Sequence, residues 1–121
     1  MQIKASKTLV LARVLLAMIF VAAGVDKVMH YAATQIYMSS MGVSPWLLPL
    51  VIALEVGAGA CLMMGVQTKL VSLLLAGFTL LASAIFHHTF QDQIQLTMFM
   101  KNLAIAGGLL AMSLDRSAHS Q

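Results

Sequence analysis

Four long apolar runs determine what this chain can fold into. They cover about residues 9–27, 46–66, 70–87 and 96–114. An α-helix rises about 1.5 Å per residue, so about 20 residues cross the roughly 30 Å hydrocarbon core of a bilayer, and runs of about 17 still suffice. With their short connections, the runs use nearly all of the 121 residues. The sequence therefore predicts a single all-α domain, residues 1–121, folded as an integral membrane four-helix bundle.

The composition agrees with a multi-pass membrane protein whose main partner is the lipid bilayer. Hydrophobic residues make up 60% of the chain and charged residues only 9%, whereas about a quarter of a typical soluble domain is charged. The seven Lys and Arg residues are scattered near the ends of the apolar runs, so no nucleic-acid partner is predicted. Cys61 is the single cysteine, which excludes an internal disulfide or a CxxC pair.

The positions of the cations predict the orientation. Cytoplasmic flanks of membrane spans carry an excess of Lys and Arg, which predicts that both termini are cytoplasmic. The longest connection, residues 26–45, then faces outward, and residues 33–41 within it are predicted to form a short interfacial helix ended by Gly42. The cations predicted to share the cytoplasmic side are Lys4, Lys7, Arg13, Lys69 and Arg116; Lys27 and Lys101 lie on the other side.

Glu55 is the strongest indication of a site. It follows Trp46 by nine residues, which places it roughly 14 Å into the membrane, too deep for a short side chain to reach the surface. An ionised acid at that depth costs roughly 2.5 to 3.5 kcal/mol, so Glu55 must be neutral or paired with a cation. The sequence leaves open whether that cation is Lys27 or Lys101. Two interpretations remain open: a proton, ligand or cation site, which the cost favours, and hydrogen bonding that holds neighbouring helices together.

Other polar side chains share faces of the predicted helices. Arg13 can either extend to the membrane surface or face the bundle interior. In the third run, a polar stripe that lipid would not favour is predicted to face inward; it consists of Ser72, Ala76, Thr79, Ser83 and His87. Small residues repeat at every fourth position of the second run and predict a ridge for close helix packing: Ala53, Gly57, Cys61 and Gly65.

These faces predict one polar pocket in the outer half of the bundle. Its catalytic residues would be Glu55 and His87, which handle protons. Its ligand-binding residues would be Lys27, His88, Lys101 and Asn102. The cations suit a reduced oxyanion and the surrounding helices supply an apolar shell, so the expected ligand is of the quinone type.

No metal site is predicted. His87 and His88 are adjacent in the sequence, and adjacent side chains diverge by about 100° on a helix, so the two cannot readily share one metal-binding face.

On these residues the chain resembles the DoxX family of small bacterial membrane proteins. The resemblance implies four helices in the bacterial cell inner membrane. It also implies association with thiosulfate:quinone oxidoreduction or with membrane-bound oxidoreductase complexes, and it leaves open whether this chain is an enzyme. The features that carry it are Arg13 with Gly24 and Lys27, Tyr37-Met38 through Gly42, Glu55, Gly65 with Thr68, His87-His88, Phe99 with Lys101 and Asn102, and Ser113-Leu114-Asp115-Arg116.

Three functions are compatible with the residues and the resemblance. The first is a quinone-linked or redox-associated membrane subunit that binds its ligand in the polar pocket. The second is a non-catalytic membrane scaffold that recruits an oxidoreductase partner. The third is a small proton-coupled transporter, although the glutamate of such proteins lies in the first helix rather than the second. The small-residue ridge also permits a homo-oligomer.

Overall fold

The computed structural model describes residues 2–87 and 91–114, and within these ranges all regular structure is helical. Four helices in them are long and apolar enough to cross a membrane: Lys7–Met29, Pro45–Met64, Thr68–Phe86 and Gln93–Ser113, here called the first to fourth spans. The predicted all-α membrane bundle is confirmed. His88 and Arg116 lie outside the described residues.

The first span belongs to helix α1 (Gln2–Met29), and the third and fourth spans are the helices α5 (Thr68–Phe86) and α6 (Gln93–Ser113). Helix α6 begins where Asp92 caps it, because the Asp92 carboxylate accepts a hydrogen bond from the Ile94 N–H at 2.9 Å. The α5 and α6 helices pack against each other along much of their length, as a short helical hairpin requires.

The second span changes its helix type along its length. A 3₁₀ turn, Pro45–Leu47, leads into α3 (Leu48–Ile52); a π-helical turn, Ala53–Ala58, follows; and α4 (Gly59–Met64) completes the span. A π-helical turn holds one residue more than an α-helical turn, and such turns are frequent at functional sites. Glu55 lies within this turn and is buried.

Two glycines allow the first and second spans to approach closely. A side-chain carbon on Gly59 would lie 3.0 Å from Val21, and one on Gly24 would clash with Val56. These contacts lie where the two antiparallel helices cross, and removal of the side chain is what lets the backbones meet there.

The bundle has a terminal end and a loop end. The terminal end contains the start of α1, the turn before Thr68 and the end of α6; the loop end contains the connections after α1 and after α5. The apolar core extends from the middle of the bundle to the terminal end, and its fully buried residues are Ala17, Leu62, Leu75 and Leu109. The inward orientation of the polar stripe is confirmed, since Ser72, Ala76, Thr79 and Ser83 are all buried.

The ridge of small residues is packed within the chain only toward the end of the second span. Ala53 and Gly57 are exposed, and a side-chain carbon on Gly57 would meet nothing within 4 Å, while Gly65 is buried. The exposed half of the ridge lies roughly opposite the buried Glu55, as the spacing along the helix predicts.

A short helix covers the loop end. The helix predicted in this connection is confirmed as α2 (Tyr31–Ser40), with Met38 buried beneath it. It packs on the 3₁₀ turn of the second span, and the Tyr37 ring stacks on Phe86 of α5 with centroids 5.3 Å apart. Gly42 follows with a φ of 78°, a conformation that glycine adopts without strain. Helix α2 thus connects the second and third spans at the loop end of the bundle.

Candidate functional site

A cavity of about 570 Å³ lies at the loop end of the bundle. Most of its lining is apolar, as is usual for small-molecule sites, whose volumes are about 300 to 1,000 Å³. Five of the six residues proposed from the sequence line this one cavity: Lys27, Glu55, His87, Lys101 and Asn102. The sixth, His88, lies outside the described residues.

Lys27 and Glu55 form an ion pair at the wall of the cavity. The Lys27 Nζ lies 2.8 Å from Glu55 Oε1, and the side chains are 27% and 5% exposed. Lys27 sits in the last turn of α1, where the helix dipole also favours a cation. The sequence left open whether Glu55 meets Lys27 or Lys101, and the structure selects Lys27.

Close backbone packing positions this pair. Because Gly24 has no side chain, α1 approaches the π-helical turn closely, and a side-chain carbon there would lie 3.4 Å from the Glu55 Cβ. Lys27 follows Gly24 by three residues, nearly one helical turn, so it emerges on the same face. The glycine contact and the π-helical turn together bring the ammonium and the carboxylate within reach.

His87 ends helix α5 and is held by the fourth span. Its backbone N–H donates to the Ser83 carbonyl at 2.9 Å, and its Nδ1 lies 2.8 Å from the side-chain oxygen of Gln95. In this arrangement Nδ1 donates to the amide oxygen, and Nε2 is the other ring nitrogen of a side chain that lines the cavity. The role of Gln95 was missed from the sequence.

Helix α6 presents two further polar groups to the cavity. Asn102 is half-buried, while Lys101 is exposed at the margin. Thr79 of α5 also lines the cavity, and its buried hydroxyl has no hydrogen-bond partner among the described residues. A hydroxyl left in this state favours a polar ligand atom or a water molecule beside it.

Arg13 lies outside this cavity. The sequence allowed it either to reach the membrane surface or to face the bundle, and the structure shows it facing the bundle with 7% of its surface exposed.

The cavity is open toward the lipid side of the bundle. The α4 part of the second span packs against the third span, whereas α3 does not pack extensively on it. Leu47, Leu50 and Leu81 line the cavity and yet remain between 46% and 65% exposed. The apolar wall is therefore continuous with the hydrocarbon of the bilayer, while α2 covers the end.

Comparisons with known proteins agree with this architecture. The DoxX family model matches residues 8–88, more than half of the chain. The chain is 46% identical over 103 residues to the inner membrane protein YqjF of Escherichia coli (strain K12), which covers 85% of this chain and 79% of YqjF. It is 33% identical over 123 residues to the inner membrane protein YphA of the same organism, covering 89% and 88%.

No solved structure matches the chain. The relatives and the four spans identify a multi-pass protein of the bacterial inner membrane. With the family model matched over residues 8–88, the chain belongs to the DoxX family.

Proposed function

We propose that this protein is a redox-associated membrane subunit that binds a quinone-type ligand in the loop-end cavity. The observation that carries the proposal is the Lys27–Glu55 ion pair in the wall of an apolar cavity open to the bilayer. We also retain the cytoplasmic orientation of both termini as part of the proposal, which puts the cavity in the outer half of the membrane.

The residues present fit such a ligand. A quinone has a small polar ring and a long apolar tail, and the cavity offers polar groups on one side and exposed leucines on the other. The opening between α3 and α5 lets the tail remain in the lipid while the ring enters. When bound, a quinone supplies an acceptor for two electrons and two protons, and the electrons would come from an oxidoreductase partner.

The roles of the side chains follow from their chemistry. The Lys27 ammonium, with three N–H donors, binds an oxygen of the ligand ring and stabilises negative charge on it. Glu55 Oε1 and His87 Nε2 hold or release protons at the cavity wall. Lys101 and Asn102 donate hydrogen bonds from the opposite helix, which orients the polar ring.

The amount of quinone that remains bound after mild purification of the protein tests the proposal. Glu55→Gln keeps the side-chain shape and removes the negative charge that holds Lys27, and we expect it to reduce the retained quinone by about tenfold. Asp26→Asn is the matched control, because Asp26 is exposed next to Lys27 and outside the cavity lining. Extraction and mass spectrometry give the amount per protein, and size-exclusion chromatography checks that each variant is folded.

The proposal is contradicted if wild-type protein retains no quinone, or if Glu55→Gln retains as much as wild type. If Glu55→Gln does not fold, Lys101→Gln replaces it, since Lys101 lies at the exposed margin of the cavity and its loss should lower retention without disturbing the core.

A scaffold that recruits an oxidoreductase is the second candidate. It is favoured by the apolar surface of the loop end, where Ile36 of α2 and Trp46 are 71% and 86% exposed. Capture of an oxidoreductase that depends on Ile36 and is unchanged by Glu55→Gln, with no quinone retained, would favour the scaffold over the pocket.

A further inference from the structure

Thr79 carries a buried hydroxyl in the wall of the loop-end cavity. The residue is 5% exposed and lines the cavity, and its Oγ1 has no hydrogen-bond partner in residues 2–87 and 91–114. Buried hydroxyls are normally hydrogen-bonded, and one that is left unpaired destabilises the protein. A polar atom of a ligand in the cavity would supply the missing hydrogen bond.

The cavity distinguishes Thr79 from the other unpaired hydroxyls of helix α5. Thr68, Ser72 and Ser83 are also buried, and their side-chain oxygens likewise have no partner within the described ranges. None of these three is among the described residues that line the cavity. Of this group, Thr79 is therefore the residue whose hydroxyl a ligand in the cavity can reach.

Asn102 of helix α6 lies at the same level of the bundle as Thr79. The contact between His87 Nδ1 and the side-chain oxygen of Gln95, at 2.8 Å, gives the register of the α5–α6 hairpin. Thr79 precedes His87 by eight residues and Asn102 follows Gln95 by seven, so both lie about 10 to 12 Å along their helices from that contact. Asn102 is half-buried and also lines the cavity. The third and fourth spans thus contribute a hydroxyl and a carboxamide at one level of the cavity wall.

These two neutral groups differ from the ion pair in the same cavity. Lys27 and Glu55 come from the first and second spans and carry full charges, whereas Thr79 and Asn102 come from the third and fourth spans and carry none. The π-helical turn that contains Glu55 packs against both α1 and α5, which keeps the two polar positions within one cavity. Most of the remaining lining is apolar. The cavity therefore offers a charged and a neutral polar position to a single ligand.

We propose that Thr79 and Asn102 form a second polar subsite that makes the cavity selective for a 1,4-quinone. The inference rests on the proposed function and adds a requirement for two ligand oxygens. A 1,4-quinone has one oxygen at each end of its ring: Lys27 binds the first, and the Thr79 hydroxyl and the Asn102 amide donate hydrogen bonds to the second. A ligand with one oxygen leaves the buried Thr79 hydroxyl unpaired, and a site with such an unpaired group disfavours that ligand.

Titration of the purified full-length protein with two probes tests the second subsite. The probes are 2,3-dimethyl-1,4-naphthoquinone and 2,3-dimethyl-1-naphthol, which share a fused ring and differ in the second oxygen. Isothermal titration calorimetry in one detergent compares all variants. Thr79→Val keeps the side-chain shape and removes the hydroxyl. We expect it to weaken binding of the quinone by about three- to tenfold, the loss of one hydrogen bond, and to change binding of the naphthol by less than about twofold.

Thr68→Val is the matched control. Thr68 lies on the same helix, is also buried and unpaired in the described part of the chain, and is outside the described cavity lining. We expect this variant to keep both affinities within about twofold of wild type. Thr79→Ser retains a hydroxyl and should retain quinone binding.

Thermal unfolding separates a binding role from a structural one. The Thr79 hydroxyl makes no hydrogen bond to the described residues, so ligand-free Thr79→Val should be at least as stable as wild type. A structural role for the hydroxyl would instead lower the unfolding temperature. If Thr79→Val does not fold, Asn102→Leu replaces it, and we expect the same selective loss of quinone binding.

Four outcomes overturn the second subsite. They are unchanged quinone binding by Thr79→Val or its replacement, an equal loss for both probes, an equally large loss in Thr68→Val, and no quinone binding by wild type. Only the last also contradicts the proposed function. In the other three cases, weaker quinone binding by Glu55→Gln would leave the proposed quinone site in place without the second subsite.

Discussion

The apolar core and the loop-end cavity of the bundle differ in how far their leucines are buried. At the core, Leu62, Leu75 and Leu109 are fully buried, whereas at the loop end Leu50 and Leu81 line a cavity and are more than 60% exposed. In lipid there is little hydrophobic force between helices, so an exposed leucine costs almost nothing. Close packing between the spans therefore depends on complementary helix surfaces, and a cavity can form wherever two spans diverge.

The largest effect should come from a substitution that removes buried methyl groups from the apolar core. Leu75→Ala removes fully buried methyl groups from the core and should lower the free energy of unfolding by about 2 to 4 kcal/mol. Leu81→Ala on the same helix removes groups that already meet lipid and should cost less than about 1 kcal/mol. Unfolding by sodium dodecyl sulfate in mixed micelles measures both. Equal losses of unfolding free energy in the two variants would mean that the core and the cavity lining are packed alike.

The ion pair should show the next largest effect. A double-mutant cycle with Lys27→Gln and Glu55→Gln should give a coupling of about 1 to 3 kcal/mol, because each single change leaves a charge unpaired in the membrane. Lys27 is partly exposed, which places the value toward the lower end of that range.

The control cycle uses the exposed pair at the end of α1. The Asp26 Oδ1 and His30 Nδ1 atoms lie 3.1 Å apart, and both side chains are more than 60% exposed. This pair should show no measurable coupling. Equal coupling in both cycles would show that the cavity wall is as solvated as the surface.

The smallest effect should come from adding a side-chain carbon where the backbones of the first and second spans lie close together. Gly24→Ala adds a side-chain carbon that clashes with Val56 and should destabilise the fold by about 1 to 2 kcal/mol, despite the better helix propensity of alanine. Gly107→Ala adds the same carbon where nothing lies within 4 Å and should be neutral or stabilising by up to about 1 kcal/mol. Thermal unfolding measures the stability of both variants. A Gly24→Ala variant more stable than wild type would show that the helix crossing can accommodate an additional side-chain carbon.

Much of the fold could be predicted from the sequence because hydropathy is a local property. Apolar runs of the right length define spans, and an acid deep in one of them singles out Glu55. The inward stripe on α5 was also predictable, since that helix is regular and its polar positions repeat with the helical period.

The rest depends on contacts between helices, which a linear pattern does not contain. The choice of Lys27 over Lys101 as the partner of Glu55 follows from the Gly24 crossing, and the Gln95 contact follows from how α5 and α6 meet. The π-helical turn left no pattern in the sequence and was not predicted. The proton and ligand roles of the site residues remain predictions.

The π-helical turn also affects how relatives of this protein should be aligned. Residues Ala53–Ala58 hold one residue more than the same rise of α-helix would need. Loss of a single residue here would restore a regular helix of almost the same length and leave both ends of the span in place. A one-residue gap near Glu55 in a homologue would therefore record a helix without the π-helical turn rather than a misaligned span, and that homologue should present a different residue to the cavity.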